Sequence, residues 1–141
     1  MAESQGPLSG GCNCGAVRYT INTPPFAVAA CHCVNCRRQS GAAFSVNLVV
    51  RADAMQIEGE LRTYVDADTE SGQPVERQFC AACGSPIRSV PRASPMIAAV
   101  KAGTLDAPEA FAPAMHIWTS SALPWVTIPA DLPRFEKGPK T

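Results

Sequence analysis

Cys31-His32-Cys33-Val34-Asn35-Cys36-Arg37-Arg38-Gln39-Ser40-Gly41-Ala42-Ala43-Phe44-Ser45-Val46-Asn47-Leu48-Val49-Val50 carries, side by side, the two signals that decide the fold. In its second half Phe44, Val46, Leu48 and Val50 alternate with Ser45 and Asn47, the period of a β-strand with one apolar face. In its first half three cysteines fall within six residues, close enough to converge on one metal ion without help from a distant segment. Between the two halves, Val34 to Gln39 reads as a short helical turn, and Gly41 supplies its stop.

Working outward, the same strand signal recurs in short pieces. Val17, Tyr19 and Ile21 alternate with Arg18 and Thr20. Met55 to Ile57, Leu61 to Val65, Val75 to Phe79, Ile87 to Val90, Met96 to Lys101, His116 to Thr119 and Trp125 to Ile128 are further candidates. Pro91, Pro95, Pro108, Pro113, Pro124 and Pro129 forbid long helices in the second half. Many short strands between Gly and Pro turns predict an all-β fold, a complex β-sandwich or open barrel. The 141 residues suit one domain, expected over 8–130, with 1–7 and 131–141 as extensions and Lys137 to Thr141 a frayed tail.

Composition narrows the function. Hydrophobic residues at 46% against 17% charged exclude a disordered chain. Twelve basic residues balance twelve acidic ones, so the net basic face that displaces phosphate counterions is missing and nucleic acid is not an expected partner. No apolar run approaches membrane-spanning length, and Met1 to Gly10 lacks the basic and apolar regions of a secretory signal. The expected compartment is therefore the reducing cytoplasm, where clustered thiols read as metal ligands rather than disulfides.

Seven cysteines form three clusters: Cys12 and Cys14; Cys31, Cys33 and Cys36; Cys80 and Cys83. The Cys-x-x-Cys spacing in the last two lets a tight turn aim two sulfurs at one zinc ion. Gly15 and Gly84, each directly after a cysteine, relieve crowding and free N–H groups for the sulfurs. Seven ligands divide as four plus three, a closed structural site and a site with an open position. Spacing alone does not say which clusters share an ion. Cys31, Cys33 and Cys36 are the best candidates for the open site, which leaves Cys12, Cys14, Cys80 and Cys83 to tie distant segments together.

Four ordered motifs, Cys12 to Gly15, Cys31 to Gly41, Phe79 to Ser85 and His116 to Trp125, together resemble the glutathione-dependent formaldehyde-activating enzyme family, related to centromere protein V. The resemblance implies a complex β-sandwich with structural zinc on Cys12, Cys14, Cys80 and Cys83 and a second zinc on Cys31, Cys33 and Cys36. It also implies a carbon-sulfur lyase-type activity of the S-(hydroxymethyl)glutathione synthase kind, with glutathione as the thiol and formaldehyde as the aldehyde. The competing reading is a zinc-stabilised binding module without catalysis.

The remaining site candidates divide by chemistry. Arg37 and Arg38 would offset the net negative charge of a three-thiolate zinc site and hold a substrate carboxylate. His32 is expected to point away from the metal, as alternate residues of extended backbone do. His116 reads as a hydrogen-bonded core histidine, and Trp118, Trp125 and Phe44 as core. Lys101 and Gly103 read as an edge strand and its turn.

Overall fold

The computed structural model describes residues 6–138. Among them are ten strands: β1 Leu8–Gly11, β2 Arg18–Ile21, β3 Ala27–Cys31, β4 Ser45–Arg51, β5 Met55–Glu58, β6 Leu61–Asp66, β7 Val75–Cys80, β8 Pro86–Pro91, β9 Ile97–Lys101 and β10 Met115–Ile117. One α-helix, α1 (Val34–Ser40), follows β3 and ends where Gly41 adopts φ 71°, a left-handed cap that glycine takes without steric cost. The strands form a three-stranded sheet, β1-β2-β5, and a seven-stranded sheet, β10-β3-β4-β9-β8-β7-β6. All pairings are antiparallel except β10 with β3. The fold is an open sandwich with no closed barrel.

Alternation explains where the core sits. Tyr19 and Ile21 from β2 and Met55 from β5 face Leu48 and Val50 from β4, Ile87 from β8 and Val100 from β9 across the gap between the sheets. Ile21, Leu48, Val50, Ile87 and Val100 are fully buried, each stabilising the fold by about 1.5–3 kcal/mol.

The opposite face of the large sheet is buried too, but it is polar. Cross-strand partners share a face, and the register pairs Cys31 with Ser45, Asn47 with Lys101, Ala99 with Ser89, and Ser89 with Arg77. Ser45, Asn47, Asp66, Arg77, Ser89 and Lys101 are all under 9% exposed. Helix α1 closes this face on one side, where the Asn35 amide donates to Asp66 and to the Asp68 carbonyl.

Several expectations are corrected here. Trp125 to Ile128, bracketed by Pro124 and Pro129, forms no strand, and Trp125 is 72% exposed rather than core. Lys101 lies on β9 between β4 and β8, so it is not on an edge, and Gly103 sits in a 3-10 turn, Ala102–Thr104. Lys137 is not frayed: its carbonyl accepts from Trp118 N–H, while Phe135 N–H donates to His116. The rest of that expected tail, 139–141, and residues 1–5 of the N-terminal extension lie outside the described residues. Strands β1 and β3 went unforeseen, because Leu-Ser-Gly-Gly and Ala-Val-Ala-Ala-Cys show no apolar alternation. No described helix is long and apolar enough to cross a membrane.

Two turn glycines with positive φ provide a matched test. At Gly59 (φ 101°) an added Cβ would sit 2.2 Å from the Ala16 carbonyl oxygen, whereas at Gly72 (φ 79°) it would meet open space. Gly72→Ala should cost about 1 kcal/mol, from left-handed backbone strain alone. Gly59→Ala, which must also displace backbone, should cost about 3 kcal/mol or more. Denaturant melts of the two variants check the order, and equal losses would contradict it.

Candidate metal centres

The β1–β2 turn delivers Cys12 and Cys14, and the β7–β8 turn delivers Cys80 and Cys83; all four sulfurs lie within 4.8 Å of one another. Cys12 Sγ is 3.6 Å from Cys14 Sγ, which is 3.9 Å from Cys80 Sγ. Sulfurs about 2.3 Å from a tetrahedral zinc ion stand about 3.8 Å apart, so the donors fit that ion in type and spacing. Backbone N–H groups supplement them. Val17 donates to Cys12 Sγ, and Ala82 and Cys83 donate to Cys80 Sγ, at 3.2–3.3 Å. Gly15 (φ 83°) and Gly84 (φ 82°) make these tight turns possible. Hydrogen bonds from Ser85 hold the Cys83 thiol down to about 5. Asn13 N–H donates to Ser85 Oγ across the two turns (3.0 Å).

The second cluster is built differently. Cys31 ends β3, Cys33 is the N-cap of α1 and accepts from Cys36 N–H at 3.2 Å, and Cys36 is the buried position of that helix. Their sulfurs also lie within 4.8 Å of one another, and all three are buried. Hydrogen bonds from the Cys31 and Cys33 thiols, and then the charges of Lys101 and Arg77, hold Cys36 well below the usual thiol range. Hydrogen bonds with Cys33 and then Cys36, with burial, push Cys31 up. Arg77 Nη1 lies 3.8 Å from Cys36 Sγ, while its Nε pairs with Asp66 at 3.1 Å. Lys101 Nζ donates to Ser45 Oγ at 2.8 Å.

Charge decides what this pocket can hold. With all three sulfurs ionised, as metal ligands are, they and Asp66, set against Arg77 and Lys101, would leave two negative charges in a buried space, which one divalent cation neutralises. Soft sulfur donors and charge together fit zinc.

These cysteines form the floor of a cavity of about 210 Å³. Its walls include Asn47, Thr69, Glu70, Arg77, Ile117 and Trp118. Ser121 Oγ donates to the Glu70 carboxylate at 2.8 Å and ties the β6–β7 loop to the segment after β10. Trp118 stands at φ 57°, alone among the described non-glycine residues in having positive φ. A bulky residue pays about 1–3 kcal/mol for that conformation, and such strain concentrates at functional sites. A larger cavity of about 450 Å³, lined by Pro7, Leu8, Pro24, Pro25 and Phe111 among others, has no cysteine and no titratable side chain in its lining.

The structure places the remaining sequence candidates as follows. His32 points away from the triad: its Nε2 is 2.9 Å from His116 Nδ1, both rings are buried, and Phe44 packs on them. Burial lowers the pKa of both imidazoles. Trp118, half-buried, packs on the cysteine triad. Arg37 and Arg38 do not line the triad cavity; with Leu123 and Trp125 they line a separate shallow pocket. The cations that do reach the triad, Arg77 and Lys101, were not among the sequence candidates. Lys101 carried one signal, a charged residue between Val100 and Ala102, whereas Arg77, between Glu76 and Gln78, carried none.

Substituting an exposed ligand tests the closed cluster without emptying the core. Cys83 is exposed and Cys33 is buried, so on packing alone Cys33→Ala should be the more damaging change. Metal-linked folding reverses the order. A structural zinc site carries roughly 10–16 kcal/mol in small domains, against a net stability of about 5–15 kcal/mol. Cys83→Ala should therefore lose its cooperative thermal transition and Cys33→Ala should keep one. The opposite order would show that the four-cysteine cluster does not hold the fold.

A family model described as glutathione-dependent formaldehyde-activating enzyme matches residues 7–121. A Halomonas elongata protein provisionally named for that family is 35% identical over 82 residues, covering 55% of this chain and 52% of the relative. The chain thus spans about half the length of the curated relative it matches. A crystal structure of a Rhodobacter sphaeroides protein has a TM-score of 0.56 at 22% identity, covering 70% of this chain and 87% of that one, a likeness of fold. Because the family match runs from the strand before the first cysteine pair through the turn after Trp118, taking in both sulfur clusters, the chain belongs to the glutathione-dependent formaldehyde-activating enzyme family.

Proposed function

We propose that the chain joins the thiol of glutathione, or a close analogue, to formaldehyde, giving S-hydroxymethylglutathione in the triad cavity. The observation that carries the reading is the contrast between the clusters: four sulfurs clamp two turns, whereas three form the floor of a cavity. In this reading Cys12, Cys14, Cys80 and Cys83 hold a structural zinc, and Cys31, Cys33 and Cys36 hold the second. Zinc at the triad would supply an open coordination position that keeps an entering thiol deprotonated. The functional domain is residues 8–130, and a reducing compartment such as the cytoplasm keeps the seven free thiols competent.

The residues around the triad serve the addition in distinct ways. Arg77 and Lys101 offset the charge of the thiolates, so an incoming sulfur does not meet an uncompensated anion. Ile117, Trp118 and the Thr69–Ser71 wall shelter the reacting atoms from water. The step is an addition without redox change: sulfur bonds to the aldehyde carbon, the carbonyl π pair moves to oxygen, and that oxygen takes up the equivalent of the proton the thiol released. About 210 Å³ lies below the roughly 300 Å³ at which ligand pockets usually begin, so only the thiol end of the tripeptide enters. Arg37 and Arg38 are proposed to receive its carboxylates outside.

A glutathione titration of cobalt-substituted protein tests this reading. The sulfur-to-cobalt charge-transfer band should shift saturably with glutathione and stay fixed with S-methylglutathione, whose sulfur is blocked. A band indifferent to both would sink the proposal. An Arg37→Ala, Arg38→Ala double variant should bind glutathione about 30-fold more weakly at most, because each of two solvated ion pairs contributes no more than about 1 kcal/mol.

A further inference from the structure

Ser45, Asn47 and Lys101 lie on the triad side of the large sheet; the Lys101 charge answers the thiolates, but neither the cysteine clusters nor the sandwich core requires the polarity of Ser45 and Asn47. All three are at least nine-tenths buried. Lys101 Nζ is 2.8 Å from Ser45 Oγ, which is 3.0 Å from the Asn47 side-chain oxygen.

The chemistry of the three groups fixes the direction of the chain. A lysine ammonium has donors only, so Ser45 Oγ accepts from it. Ser45 Oγ in turn donates its single proton to Asn47 Oδ1. The amide is thereby locked with Oδ1 toward Ser45 and Nδ2 turned away. Asn47 lines the triad cavity, and its Nδ2 has no hydrogen-bond partner among the described residues. That N–H edge is open to the cavity rather than sealed off, so water or a ligand there can take it up.

We propose that Asn47 Nδ2 is the donor that receives the aldehyde oxygen as it becomes an alkoxide, with Ser45 and Lys101 as positioning residues that hold the amide in that sense. The proposal rests on the preceding reading of the triad cavity. As sulfur bonds to carbon, the carbonyl π pair collects on oxygen, and an oriented amide N–H in a water-poor pocket stabilises that charge more in the transition state than in the aldehyde. The proton that completes the hydroxymethyl group comes from solvent and balances the one lost by the thiol. Nothing is oxidised or reduced.

Asn47→Asp isolates the donor, since it keeps nearly the same shape and an acceptor for Ser45 but removes both N–H groups. Adduct formation from glutathione and formaldehyde, followed by exchange NMR above the uncatalysed rate, should fall by roughly 100-fold in kcat. The cobalt titration with glutathione should be unchanged. Asn47→Ala, which adds no charge, should match it. Ser45→Ala should lower kcat less and leave the glutathione KM unaltered, while moving the Asn47 side-chain amide resonance, which is assigned by its loss in Asn47→Asp. In the native protein that resonance should shift on adding glutathione with formaldehyde and hold still with glutathione alone. Full turnover in folded Asn47→Ala, or an amide resonance indifferent to the aldehyde, would overturn the assignment while leaving the thiol site standing. A native protein whose cobalt band ignores glutathione would overturn the thiol site, and this assignment with it.

Discussion

Three buried thiolates within 4.8 Å of one another are untenable without positive charge inside the same low-dielectric space. Much of the surrounding structure answers to that constraint. It explains why a face of the large sheet that alternation alone would give to solvent is instead covered by α1, the β6–β7 loop and Trp118. It also explains why that face carries Arg77 and Lys101, each about 95% buried. Arg77 also has Asp66, but Lys101 takes its opposing charge from the cysteines, and thiolates with no cation would protonate. Either set needs the other.

The two sulfur clusters respond to different demands. The four-cysteine cluster joins turns far apart in sequence and is lined by backbone donors, which suits a clamp that limits the unfolded chain. The triad is local, arising from the end of one strand and the first turn of one helix, so it can be built precisely where a cavity is wanted without being asked to hold distant segments. The left-handed Trp118 belongs to the same economy. Its backbone conformation is uphill, and hydrogen bonds from its own N–H to Lys137 and from Ser121 to its carbonyl fasten it.

The clusters and the strands with apolar alternation were legible in the sequence, since spacing of sulfurs and a period of two are local properties. The helix stop at Gly41 was legible for the same reason. Arg77, Asp66 and Lys101 were not, because a charged residue on a strand looks alike whether it faces water or a buried thiolate; only the register that sets Asn47 beside Lys101 tells them apart. Strand β3 escaped because Ala-Val-Ala-Ala-Cys offers no large apolar residues at alternate positions, and its place between β10 and β4 is set by long-range pairing. Trp125 was misplaced through its size: the flanking prolines that end the strand pattern also carry the ring to the surface. Arg37 and Arg38 drew attention by adjacency in sequence, but on a helix the residue after a buried ligand turns about 100° away from it.

In the proposed function one sulfur site is complete and the other is one ligand short. Zinc-edge X-ray absorption on the loaded protein measures this directly. The account requires two zinc ions per chain and an average of about 3.5 sulfurs per zinc, rising to about 4 when glutathione is saturating, with every sulfur near 2.3 Å. A sulfur count that stays constant on adding glutathione, or a single zinc per chain, would contradict it.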